Sequence, residues 1–470
     1  MLFNSHAYLI YFLPIAALGF FAFGRNPRWA VRWLVATSLF FYGWWNPLHL
    51  PLILASIAAN FAFARRIEHA VHRKRWLVAG IAANLVLLGV FKYADFILRT
   101  LAQAGLVPLV QLDLALPLGI SFFTFTQIAF LVDVGRRKAA EPSADNYALF
   151  VTFFPHLLAG PIIHHSEMMP QFASATNKRV AWDNVAGGLF LLAIGLVKKV
   201  FLADPLVPLV AAGFDHATSI GALQAWVSAL AYTLQIYFDF SGYTDMALGA
   251  ALLFNIRLPI NFDSPYRSLS LREFWHRWHM TLSRFLREYV YVPLGGNRAR
   301  EPRVLANLLA TFLLGGLWHG AAWTFVVWGA LHGLGLCVQR VWTRSGHRLP
   351  AWVAGPSTFI FVVVTWVFFR AHSLDDAFAI VRAMAGGSTA GAGAIDAAGV
   401  RESIQRLWSE HEPAALSLLA GLSIVFTRRN SNALVRDISP SWFLAAATAG
   451  ALTLVVLQLG RVAPFLYFNF

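Results

Sequence analysis

One cysteine, Cys337, stands in a chain of 470 residues, which excludes an internal disulfide and a zinc site built on several thiolates. Charge is scarce as well. Asp, Glu, Lys and Arg together make up 13% of the sequence, against about a quarter in a soluble domain. Hydrophobic residues fill 58% and the mean hydropathy is +0.59. These values exclude an ordinary soluble enzyme and place the chain among membrane proteins. No Lys or Arg precedes the apolar stretch from Tyr8 to Phe23, and apolar segments recur to the end. A cleavable signal peptide is therefore not expected, and the first segment reads as a retained transmembrane helix.

Acidic residues are fewer than basic ones, 23 against 37, for a net charge of +14. The basic residues sit in short clusters between apolar segments, where cytoplasmic loops concentrate them. Anionic lipid headgroups and a polyanionic substrate suit this pattern; nucleic acid does not. The 40 Phe and 17 Trp supply aromatic bulk for helix packing and for interfacial belts.

Segments near the length of a bilayer span, about 20 residues, lie near 7–24, 29–46, 48–64, 76–97, 116–133, 147–163, 185–212, 219–238, 240–257, 303–336, 355–370, 414–427 and 441–460. Several are short or broken by Gly and Pro and read as re-entrant. No repeat or long linker divides the chain, so one membrane domain over 1–470 is expected. The stretch 383–399 is the most loop-like, and RESIQRLWSEH after it reads as a short surface helix. RNPR with Arg32, and ARRIEHAVHRKR at 64–75, are strongly basic, whereas the first residues and the NPLH turn carry no Lys or Arg. The N-terminus is therefore expected outside and the 64–75 loop in the cytoplasm.

SLREFWHRWHMTLSRFLREYVYVPLGGNR, from Ser270 to Arg298, is the most informative polar stretch. Ser270 and Glu273 fit a capping box. Helical periodicity gathers Leu271, Phe274, Trp275, Trp278, Leu282, Phe285, Leu286 and Tyr289 on one face, and Arg272, His276, His279, Ser283 and Arg287 on the other. His279 falls at the boundary. Such a helix suits a membrane interface or the wall of a wet cavity, and PLGGNR ends it with glycines able to take positive φ. The plainer account of His276 and His279 is contact with headgroups. A metal site is not expected, because the His276/His279 pair has no nearby third ligand. IIHHSE at 162–167 reads as a polar re-entry turn.

YFDFSGYTD places Asp239 and Asp245 in an apolar region, with Ser241-Gly242 able to break a helix between them. Either carboxylate would orient a histidine or an arginine; as structure, Asp239 or Ser241 would cap the following helix. His319 sits inside LLGGLWHGAAWTFVVWGALHG, an apolar run from Leu313 to Gly333. An ionisable group there is a functional-site hypothesis. Gly315, Gly316 and Gly320 leave room for close approach, and Trp318 and Trp323 would supply flat walls. His332 would point elsewhere if the run were one straight helix.

With these residues in view, the chain resembles the membrane-bound O-acyltransferase family, in its alginate O-acetyltransferase branch. The resemblance rests on FYGWWNP (41–47), LPLGISFFTFTQIAFLVDV (116–134), FFPHLLAGPI (153–162), YFDFSGYTDMALGAALLFNIRLPINFDSPY (237–266), FWHRWHMTLSRFLREYVYVPLGGNR (274–298), GLWHG (316–320) and WVFFRA (366–371), in collinear order. It covers roughly residues 35 to 375, and the helices of 376–470 match less clearly. It implies an all-α polytopic fold, a ring of about 11–13 transmembrane and re-entrant helices around a central funnel. It also implies two functional positions, His319 in the WHG motif and His279 in RWHMTLS. The branch implies acetyl-CoA as cytosolic donor, no tightly bound cofactor, an exported polysaccharide as acceptor, a periplasmic acetyltransferase partner and a bacterial inner-membrane location.

On this reading His319 is the general base, and His279 bonds the thioester carbonyl or orients the acceptor. Arg272, His276 and Arg287 would meet coenzyme A phosphates, with Trp318, Trp323, Ser283, Asp239 and Asp245 as further substrate contacts. Two rival classes stay open at this point, a polysaccharide or acyl-carrier transporter and a non-catalytic scaffold. No Ser or Cys has a clear nucleophile context.

Overall fold

The computed structural model describes residues 1–140, 143–387, 397–438, 441–461 and 465–466. Among them the chain is helical, with no strand. Five helices are long and apolar enough to cross a membrane, so this is a polytopic all-α membrane protein. The chain forms two compact units.

The first unit holds Met1–Leu196, Tyr243–Ile260 and Asp437–Gly460. Its early helices are α1 (Ala7–Arg25), α2 (Pro27–Gly43), α3 (Pro47–His69) and α4 (Arg73–Gln103). Asn26 and Asn46 cap α2 and α3 by accepting from Arg28 N and Leu48 N, each followed by a proline that needs no amide partner in the first turn. α5 (Ile120–Gly135), α6 (Ala144–Thr152) and α7 (His165–Ala173) follow. A buried polar ladder ties these helices. Asn60 and Asn84 exchange amide hydrogen bonds of 3.2 and 2.6 Å between α3 and α4. Gln127 of α5 donates to Ser56 and accepts from Tyr147 of α6. Such side-chain bonds take over the gluing role that the hydrophobic effect cannot play in lipid. Only 17% of the apolar window of α4 is buried in the protein, so its remaining surface is suited to lipid.

The second unit holds Val197–Gly242, Asn261–Arg436 and Arg461–Phe470. α8 (Trp182–Phe214) and α9 (Ala222–Leu252) each belong to both units. α10 (Leu271–Arg277) and α11 (Met280–Leu286) are short; α12 (Glu301–His319), α13 (Trp323–Arg344) and α14 (Ala351–Arg370) are longer. α15 (Leu374–Met384) is capped by Ser373, and α16 (Ala397–Thr427) kinks at His411. α17 (Trp442–Gln458) lies in the first unit.

Four expectations change. The 303–336 run is two helices parted at Gly320–Ala322, so His319 ends a helix and does not lie mid-span. The 219–238 and 240–257 segments form one unbroken helix, α9; a Ser and a Gly cost about 1 kcal/mol each at most, and burial overrides them. Neither Asp239 nor Ser241 therefore caps a helix. The 270–289 helix breaks at Trp278–His279. IIHHSE is a turn only through His164, and a buried one: His164 and His165 are both enclosed and His165 opens α7. PLGGNR does turn through positive φ, at Gly295 (113°) and Gly296 (52°). Of the loop-like stretch 383–399, residues 388–396 lie outside the described residues.

Candidate active site

The GLWHG motif is built as the joint between α12 and α13. A Cβ on Gly316 would collide with the Phe325 carbonyl, one on Gly329 with the Phe312 carbonyl, and one on Gly320 with the Phe325 ring. The glycines are there for the close approach of two helices. The room they leave is filled by this chain, so of backbone and substrate, the two that these glycines could admit, it is backbone that approaches. Gly320 turns to an extended conformation and stops α12, leaving His319 as its last residue. The His319 side chain is buried, with Trp318, Trp328 and Phe369 edge-on to its ring at 4.9, 5.1 and 5.1 Å.

His279 arrives from the break between α10 and α11. Its backbone is left-handed, φ 41° and ψ 53°, a conformation that costs a non-glycine residue roughly 1–2 kcal/mol. Asn261 holds that turn. Its backbone carbonyl accepts from Met280 N at 3.0 Å, and its side-chain Oδ1 accepts from Thr281 N and Thr281 Oγ1 at 3.2 and 2.7 Å. The same Oδ1 lies 3.3 Å from His279 Nδ1. A backbone amide can only donate, so Oδ1 is the acceptor and the Nδ1 nitrogen must carry the proton. His279 then presents its lone pair on Nε2.

The two histidine rings lie 6.5 Å apart, and Trp318 contacts both. The structure thus brings together the two residues that the resemblance paired. His279 lies between two seven-residue helices, too short to span a bilayer. Burial pushes its imidazole down to about 3, because the charged form loses its hydration. At neutral pH it is therefore an uncharged hydrogen-bonding group.

The other expected residues divide. Trp318 is in the cluster, whereas Trp323 begins α13 with about half its surface exposed (47%). The second indole wall is Trp328. His332 is buried in the same aromatic cluster, with Trp328 between it and His319, but it accepts from Trp275 Nε1 on Nδ1 and meets Thr365 Oγ1 at 3.1 Å on Nε2. It is a structural histidine, and the break at Gly320 removes the helical-angle argument for its direction. Arg272, His276 and Arg287 are exposed, the last beside Glu288. Because the helix breaks, they do not form one stripe with His279. Ser283 is half-buried, its hydroxyl 3.4 Å from the Trp278 carbonyl. Asp239 is buried in an ion pair with Lys199 at 2.6 Å, and Asp245 is buried in the part of α9 that belongs to the first unit. Among the described residues no group of three His, Cys, Asp or Glu side chains converges as a metal site.

Sequence reasoning did not single out Asn261, Trp328, Phe369 or Lys199. Asn261 falls within the NFDSPY end of a quoted motif, and Lys199 is a lysine inside the apolar 185–212 segment, a signal in itself.

The family model for membrane-bound O-acyltransferases matches residues 22–373. A peptidoglycan O-acetyltransferase of Helicobacter pylori is 46% identical over 421 residues, covering 82% of this chain and 80% of that protein. A probable alginate O-acetylase of Azotobacter vinelandii is 40% identical over 400 residues, covering 82% and 78%. A teichoic acid D-alanyltransferase of Streptococcus thermophilus is 29% identical over 239 residues, covering 48% and 58%. A fold of apolar helices, a WHG motif carrying a buried histidine, and a second histidine beside it thus coincide with a match over most of the chain: it belongs to the membrane-bound O-acyltransferase family and is an O-acyltransferase.

Proposed function

We propose that the protein moves acetyl groups from cytosolic acetyl-CoA across the bacterial inner membrane to hydroxyls of an exported polysaccharide such as alginate, directly or through a periplasmic partner acetyltransferase. The observation that carries the reading is the pairing of His319 and His279 at 6.5 Å in one buried aromatic cluster. That spacing puts both imidazoles within reach of one bound acceptor through hydrogen bonds of about 2.8 Å. His319 takes the hydroxyl proton as its oxygen attacks the thioester carbonyl. The tetrahedral adduct collapses, the carbon–sulfur bond breaks, and the proton passes to the departing thiolate. Of the two roles open to His279, a lone pair on Nε2 supports orienting the acceptor through a second hydroxyl, since the single proton of the attacking hydroxyl goes to His319; an Nε2 proton for the carbonyl oxygen would need the other tautomer.

Exposed Arg272, His276 and Arg287 are the side chains proposed to meet coenzyme A phosphates. The names of the peptidoglycan O-acetyltransferase and the alginate O-acetylase support an acetyl group and a glycan acceptor. The basic 64–75 segment supports a periplasmic N-terminus. Mass spectrometry of surface glycan from cells with and without this protein tests the acceptor. Loss of O-acetyl esters from one glycan, restored by wild-type but not His319→Ala protein, is expected; an unchanged ester content would contradict it.

A further inference from the structure

Lys199, Asp204 and Asp239 form a buried charge network in the second unit. Lys199 Nζ lies 2.8 Å from Asp204 Oδ1 and 2.6 Å from Asp239 Oδ1, with Lys199 and Asp239 almost wholly enclosed. Burying charges costs several kcal/mol per ion, and apolar side chains of similar size often do better. Stability alone is therefore a weak reason for this network. What it does locally is present Asp239 Oδ2 to the Leu466 backbone amide, which donates to it at 2.9 Å. That charge-assisted bond is of the stronger kind.

The bond seats the neighbouring residue. Phe465 is buried, with its ring 6.1 Å from that of Phe240. Phe240 follows Asp239 on α9 and stands edge-on to the His279 ring at 4.8 Å. It also meets Phe262 at 4.9 Å, and Phe262 meets Trp278 at 5.0 Å. Phe240 thus reaches the His279 ring directly and, through Phe262, the Trp278 that precedes it in the chain. Asn261 fixes the left-handed backbone of His279, and Phe240 packs edge-on against its ring.

We propose that the Phe465–Leu466 segment is a positioning element for His279, locked by the Lys199–Asp239 pair and acting through Phe240. It touches no reacting atom. The proposal rests on the acyl-transfer reading of His279, and its effect is on turnover, since a misplacement of about 1 Å at a site can cost as much as 10²-fold.

The test uses full-length protein with selectively labelled histidine rings, purified in detergent, with acetyl-CoA and an alginate oligosaccharide as substrates. Phe465→Leu keeps most of the volume but removes the flat ring; Phe465→Tyr keeps the ring. Phe465→Leu is expected to lower kcat about tenfold with KM within about twofold. It should shift the His279 ring resonances, assigned against His279→Gln, and leave those of His332 in place. Phe465→Tyr should restore both. Unchanged His279 resonances in Phe465→Leu would overturn the proposal, as would a wild-type kcat. An active His319→Ala protein would instead sink the acyl-transfer reading, while the His279 resonances still decide whether this segment positions that ring.

Discussion

At Asn261 a single side-chain oxygen organises the residue that matters beside it. It accepts from Thr281 twice and faces His279 Nδ1, so one amide both caps α11 and selects the tautomer of the histidine. The same burial that serves this geometry carries a pH signature. His279 has its imidazole held at about 3, below its ordinary value of 6.5. Between those values the unfolded chain binds a proton that the folded protein does not, so stability rises with pH there. The contribution is complete above about pH 6.5 and is lost as pH falls toward 3, at up to ~1.4 kcal/mol per unit. Thermal unfolding of the detergent-purified protein from pH 7.5 to 4.5 should show this slope, and His279→Gln should lower it by the share of one proton. An equally steep variant would assign the slope to other groups.

Among elements, the α12–α13 joint is the part that stands or falls on single atoms. Gly316 faces the Phe325 carbonyl and Gly329 the Phe312 carbonyl, both rigid backbone. Gly316→Ala should part the helices, displace His319 and cost about 1–3 kcal/mol, seen as a lower unfolding temperature together with lost activity. Unaltered stability would mean the helices can slide to absorb a methyl group. Part of this was legible in advance: the glycines around WHG, the N-cap at Ser270, and, through the family resemblance, the pairing of His319 with His279. What was not legible depends on long-range partners. The left turn at His279 needs Asn261, 18 positions earlier, and helical periodicity alone runs straight through it. The unbroken α9 reflects burial overriding a Ser-Gly pair. The wall beside His319 is Trp328 because the chain reverses at Gly320, a fold-back that places a residue a turn further along α13 than the Trp323 expected from adjacency.

For the whole molecule, two compact units of helix with apolar exposed flanks give a polytopic membrane enzyme of the O-acyltransferase family. Its proposed orientation follows from the charge of 64–75, where Arg65, Arg66, Arg73, Lys74 and Arg75 cluster at the facing ends of α3 and α4. Moving such a cluster outward opposes the usual bias of basic residues toward the cytoplasm. With Cys337 replaced, a cysteine at position 73 should resist an impermeant thiol reagent in intact cells and react after the membrane is opened. Reaction in intact cells would reverse the orientation.

The most direct measurement of the central claim is acetyl transfer by detergent-purified variants of matched yield: His319→Ala, His279→Ala and the double variant. His319→Ala should lose roughly 10²–10⁴-fold in turnover, the worth of a positioned general base. His279→Ala should also be severely impaired, and the double variant should be little worse than His319→Ala, because groups that act as one unit are not additive. An active His319→Ala protein, or losses that simply multiply in the double variant, would mean that the two buried rings do not work on the same bound acceptor.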